Sequence, residues 1–63
     1  MDIAKCSYRV NVWSIDFNCY AAVKETTNLE EADELFYKLA EAGLHTTVEF
    51  YINGELKKRM NSF

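Results

Sequence analysis

Proline is absent from this chain, and glycine, cysteine and histidine are scarce: two, two and one among 63 residues. Without proline or glycine-rich stretches, nothing reads as a linker or a low-complexity segment. Cys6, Cys19 and His45 make neither a Cys-x-x-Cys pair nor a four-ligand zinc set, so no metal and no cofactor is expected. No stretch approaches the roughly 18 apolar residues of a membrane span. The opening Met1-Asp2-Ile3-Ala4-Lys5 lacks the basic segment and apolar run of a secretory leader. Reduced cysteines and the absence of a leader set the expected location as the cytoplasm, bacterial or host. Cationic excess is missing too, since seven basic against ten acidic residues give a net charge of −3, which works against general attraction to a phosphate backbone.

Apolar content is what the chain has in quantity, at 49% of residues spread along its whole length. That is too much for a disordered segment and enough for one small domain, 1–63. A core of this size supplies roughly 3–5 kcal/mol. A deep catalytic cleft has little room, and no catalytic residue is assigned.

Strict alternation marks the first strands. Cys6, Tyr8, Val10 and Val12 alternate with Ser7, Arg9, Asn11 and Trp13, predicting a strand over about 6–14. Phe17, Cys19, Ala21 and Val23 repeat the pattern and predict a second over about 17–24, joined through a loop at Ile15 to Asn18. In that register Ser14 faces Cys19, Val12 faces Ala21, Val10 faces Val23, Trp13 faces Tyr20 and Arg9 faces Lys24. Both cysteines then point inward as small core residues, at opposite ends of the hairpin and too far apart to bridge.

A helix is predicted over about 29–42. Thr27 with Glu30 is the fuller capping-box match, Asn28 with Glu31 the other. Leu29, Ala32, Leu35, Phe36, Leu39 and Ala40 form one apolar stripe, and Gly43 followed by Leu44 suits a left-handed helix end. Two further strands follow, about 44–52 and 55–60, around Asn53-Gly54. A strict two-residue loop would pair Ile52 with Glu55 and Phe50 with Lys57. A three-residue loop pairs Ile52 with Leu56 and Val48 with Met60, and is favoured because it keeps charge off the buried face. Lys58 still falls inward and must snorkel.

The order strand, strand, helix, strand, strand implies an α+β two-layer sandwich: a four-stranded, mostly antiparallel sheet of two hairpins packed on one amphipathic helix. Connection rules favour strands one and four parallel at the centre, a layout similar to that of the small immunoglobulin-binding domains of bacterial surface proteins in element order and length alone. The expected core is Val10, Val12, Ala21, Val23, Leu35, Phe36, Leu39, Val48, Phe50 and Ile52.

The helix occupies one sheet face and leaves the other open. There the alternation places Trp13, Tyr20 and Tyr51 beside Arg9, Lys24, Lys57 and Arg59, with Asn11, His45, Thr47 and Glu49 around them. Trp, Tyr and Arg dominate binding energy at protein interfaces, so Trp13, Tyr20, Tyr51, Arg9, Arg59, Asn11 and Lys57 form the expected partner-binding set. Cross-strand pairing such as Trp13 with Tyr20 is the purely structural account of the same residues. The expected function is a non-enzymatic protein-binding module, an inhibitor or adaptor of the kind with which phage and mobile elements redirect host enzymes. A second copy of the chain is an alternative occupant of the same face or of an edge strand. The alternative function is binding of single-stranded nucleic acid, stacked on the aromatics. A third, a minimal enzyme using His45 and Glu49, lacks a third group. Glu30, Glu31, Asp33 and Glu34 make an acidic surface on the helix, which complements the helix dipole.

Overall fold

The computed structural model describes residues 4–62. They form β1 (Cys6–Ser14), β2 (Cys19–Thr26), α1 (Leu29–Glu41), β3 (Thr46–Ile52) and β4 (Glu55–Asn61). The four strands make one sheet in the order β2-β1-β3-β4, every neighbour antiparallel, with the helix against one face. The two-layer α+β architecture is therefore as the alternation implies. Among the described residues no helix is long and apolar enough to cross a membrane.

The strand order corrects the expectation of strands one and four parallel at the centre. β3, not β4, lies beside β1, and the pairing explains why: Tyr8 meets Phe50, Val10 meets Val48, and Arg9 meets Glu49. A central β4 would instead bring its Lys57-Lys58-Arg59 run beside Arg9, and like charges directly opposite destabilise a sheet.

Helix α1 is capped by Asn28 rather than Thr27, since Asn28 is the residue immediately before the first helical turn. Its Oδ1 accepts from the backbone N–H of Glu30 at 2.9 Å and of Glu31 at 3.4 Å. The Glu31 carboxylate does not reach back to the cap itself. It accepts from the Thr26 hydroxyl at 2.8 Å, which in turn accepts from the Asn28 N–H at 3.0 Å, so the capping box is closed through one intermediate residue. At the other end Gly43 has φ +84°, the left-handed value that a side chain would resist. Gly43 N–H then donates to Ala40 O and Leu44 N–H to Leu39 O, the paired bonds of a Schellman ending.

Two bulges correct the predicted registers. Ser14–Cys19, Trp13–Tyr20 and Val12–Ala21 pair as expected and Asn11 meets Ala22 in the same register, but Val10 meets Lys24 rather than Val23, leaving Val23 as an extra residue. The insertion places Arg9 opposite Glu25 instead of Lys24, replacing a like-charge pair by an ion pair at 2.7 Å. In β3–β4 the turn is the tight Asn53-Gly54 type, both residues at positive φ, and Ile52 does pair with Glu55. Lys57 is then bulged out, which restores Phe50–Lys58 and Val48–Met60. The predicted loop is thus wrong and the predicted far register right: the chain keeps the favoured turn and corrects the faces one step later. Lys58 does lie on the helix side, exposed, beside Met60, Leu29 and Asp33 at the margin of β4.

The core is smaller than expected. Val10, Ala32, Phe36 and Val48 are buried, and Tyr8, Leu35 and Leu39 pack against them half-buried. Of the other expected core residues, Val12, Phe50 and Ile52 are half-buried, while Ala21, Val23, Cys6 and Cys19 are exposed. Both cysteines are free thiols. The cause is length: thirteen helical residues span about 20 Å, whereas a nine-residue strand spans about 30 Å. The ends of the hairpin lie beyond the reach of the helix, and α1 meets β4 at its margin, where Leu29 and Asp33 border Lys58 and Met60.

Candidate partner-binding face

Alternation along β1 and β3 sends Arg9, Asn11, Trp13, Thr47, Glu49 and Tyr51 to the face away from the helix. No element covers that face, yet Asn11 is 7% exposed, Thr47 3% and Glu49 7%. Three polar side chains in the middle of an uncovered sheet are buried by their own neighbours.

Glu49 is the hub. Its Oε1 accepts from Asn11 Nδ2 at 2.9 Å and from the Tyr51 hydroxyl at 3.1 Å, and its Oε2 accepts from Arg59 Nη2 at 2.6 Å and Nε at 3.2 Å. Asn11 Nδ2 also donates to Thr47 Oγ1 at 3.2 Å. The Arg9 guanidinium lies over the Tyr51 ring, 5.1 Å from its centre, and pairs with Glu25. Trp13 packs edge-on against Tyr20 with ring centres 5.1 Å apart. Between Tyr20, Arg9 and Arg59 the surface dips into a concavity of about 450 Å³ floored by Asn11, Thr47 and Glu49 and closed by Asn61.

Burial alone would push the Glu49 pKa up, but hydrogen bonds from Arg59, Asn11 and Tyr51 outweigh it and hold the carboxyl below its usual range. Burial and the adjacent Glu49 push the Tyr51 phenol up, and hydrogen bonds to Glu25 and Glu49 raise Arg9 and Arg59 respectively. Near neutrality the face is therefore a set of compensated charges. Because the folded pKa of Glu49 lies below its unfolded value, its contribution to stability is complete above about pH 4.3 and is lost as pH falls through the folded value. Acid titration of the wild type by circular dichroism should show stability dropping below about pH 4.3, and Glu49→Gln should flatten that drop. An identical acid profile in Glu49→Gln would assign the drop to other carboxylates.

Six of the seven expected binding residues meet here: Trp13, Tyr20, Tyr51, Arg9, Arg59 and Asn11. Lys57 does not. As the bulged residue of β4 it pairs with Glu55 at 3.3 Å, near the turn. Lys24, also expected on this face, is turned by the Val23 bulge to the helix side and lies 3.8 Å from Glu31. The sequence places Glu49 around the binding set and, with His45, in the minimal-enzyme alternative, whereas the structure makes it the centre of the hydrogen-bond network. The available signal was a carboxylate at a mid-strand position between Thr47 and Tyr51 on the same face. His45 precedes β3, four residues from Glu49 and so roughly 13 Å away along an extended chain. Its carbonyl accepts from Trp13 N–H at 2.9 Å. Of the acidic surface, Glu31 serves the helix cap and Asp33 borders the apolar margin near Lys58, while Glu30 and Glu34 are exposed. Among the described residues no group of His, Cys, Asp and Glu side chains is placed to hold a metal ion.

Compared with protein families, with curated proteins and with solved structures, the chain finds no match.

Proposed function

We propose that this chain is a non-enzymatic protein-binding module of the cytoplasm, an inhibitor or adaptor, that grips its partner through the open sheet face. The observation that carries this reading is the pre-set arrangement of Arg59, Arg9, Tyr51 and Asn11 around Glu49, beside an exposed Trp13–Tyr20 pair. Arg, Tyr and Trp are the residue types that anchor interfaces, and side chains already fixed by hydrogen bonds lose little freedom on binding. The concavity can seat a partner's side chain between two guanidinium groups whose charges are matched within the face.

Compensation also argues against the nucleic-acid alternative. Arg9 is paired with Glu25 and Arg59 with Glu49, so a phosphate backbone would have to displace ion pairs already formed. The test is affinity capture from nuclease-treated lysate with wild type, Trp13→Ala and Arg59→Ala, alongside Trp13 fluorescence during titration with single-stranded oligonucleotides at low and moderate salt. A protein retained by wild type and lost at least tenfold by both variants, each still folded, is the expected result. Salt-sensitive quenching by oligonucleotide, or capture unaffected by either variant, would overturn it.

A further inference from the structure

The concavity on the open face has a floor and a rim of different character. Asn11, Thr47 and Glu49 at its floor are at most 7% exposed, whereas Tyr20 at 38% and the Arg9 and Arg59 side chains at 41% and 53% stand up around them. An ionised carboxylate only accepts, so Asn11 turns Nδ2 to Glu49 and Thr47 and keeps its carbonyl oxygen clear of both. Among the described residues nothing donates to Asn11 Oδ1, and no buried side-chain polar atom lacks a partner, so this oxygen reaches the surface from a side chain that is otherwise buried. Donors are left over at the walls. Arg59 uses Nε and Nη2 on Glu49, and Arg9 uses Nε on Glu25 and Nη1 on the Tyr51 hydroxyl at 3.5 Å, which leaves Arg59 Nη1 and Arg9 Nη2.

An open acceptor at the floor and open donors at the walls call for a ligand group that both donates and accepts. Resting on the reading of the open face as a protein-binding surface, we propose that the concavity is a receptor for a primary amide, the side chain of a partner's glutamine. Its NH2 donates to Asn11 Oδ1 and its carbonyl accepts from the guanidinium groups. A carboxylate would meet the guanidinium groups but leave Asn11 Oδ1 unmet and set a second anion beside Glu49. An ammonium would satisfy Oδ1 but face Arg9 and Arg59. A hydroxyl carries donor and acceptor on one atom, so it does not span floor and wall as the separate nitrogen and oxygen of an amide do. Length favours glutamine over asparagine, because Tyr20, Arg9 and Arg59 hold a partner's backbone above the floor.

The test is an NMR titration of the isotope-labelled chain with N-acetyl-glutamine methylamide, compared with its glutamate, lysine and tyrosine counterparts. The glutamine probe should saturate with a dissociation constant on the order of 1–100 mM, as contact with one side chain allows. It should move the Asn11 side-chain amide and Arg59 Nε–H resonances, and the other probes should bind at least fivefold more weakly. Asn11→Ala should abolish saturation. Because that variant also disturbs Glu49, cross-relaxation in the wild type between the probe's amide protons and those of Asn11 and Thr47 gives a second readout. Equal binding of all four probes, preference for the glutamate probe, or a glutamine probe located elsewhere would overturn the proposal. Capture from lysate tests the face and this titration tests its concavity, so the two can fail separately. A protein captured through Trp13 and Arg59 with no response to the amide would sink the glutamine receptor and keep the face, and an amide response with capture unaffected by those variants would do the reverse.

Discussion

Phe36→Ala should leave the chain largely unfolded at room temperature. Phe36 is 5% exposed and is the only buried aromatic among the described residues, packed with Val10, Ala32 and Val48. Truncating a buried Phe costs about 3–5 kcal/mol, which is the whole of what a core this small supplies, roughly 3–5 kcal/mol. Far-ultraviolet circular dichroism with thermal denaturation should therefore show no cooperative transition in the variant. Leu35→Ala, at a half-buried neighbour, should remain folded with a lowered midpoint. A Phe36→Ala protein that melts cooperatively within about 10 °C of wild type would shift the weight of the core to the stacked Tyr8–Phe50 pair, whose ring centres are 5.2 Å apart.

The next largest effect is expected on the opposite face. Glu49→Ala removes the acceptor shared by Asn11, Tyr51 and Arg59. A buried donor left without a partner costs about 1–3 kcal/mol. Arg59 is half exposed and recovers water, so its share is discounted, and the sum expected is about 2–3 kcal/mol. In a domain of this length that lowers the melting midpoint by roughly 10–20 °C. Glu49→Gln keeps one acceptor oxygen and should lose about half as much. A Glu49→Ala midpoint within about 3 °C of wild type would mean the donors simply turn to solvent. The same pair of variants bears on function, because Arg59, Tyr51 and Asn11 are oriented by Glu49. If the open face binds a protein, Glu49→Gln should reduce capture while leaving a folded domain, separating loss of orientation from loss of structure.

These effects fall on opposite sides of one sheet, and the sequence identifies them unequally. Phe36 is visible at once, because it stands in a stripe of three- and four-residue steps with Ala32, Leu35 and Leu39. Glu49 is not, because a carboxylate on an open face reads as solvated until Asn11 and Arg59 are known to lie on the strands to either side of it. The aromatic pair Trp13–Tyr20 sits between these cases, since one short turn fixes its register and only the first hairpin has to form.

What the sequence determined by itself is local: the helix with its Gly43 ending, the two hairpins with the turn at Ile15–Asn18 and the place, though not the length, of the turn at Asn53-Gly54, the element order, and the alternation that separates an inner from an outer face. Each follows from backbone sterics and side-chain periods that act over a few residues. Tertiary structure decided the rest: the β2-β1-β3-β4 order, the bulges at Val23 and Lys57, the exposure of Cys6 and Cys19, and the assembly around Glu49. Those depend on which strand meets which, and so on pairings between residues far apart in the chain, such as Tyr8 with Phe50, Val10 with Val48 and Arg9 with Glu49. The Val23 bulge sets Arg9 against Glu25, and the Lys57 bulge keeps the tight Asn53-Gly54 turn while returning Phe50 and Val48 to their face; neither can be read until the partner strand is in place.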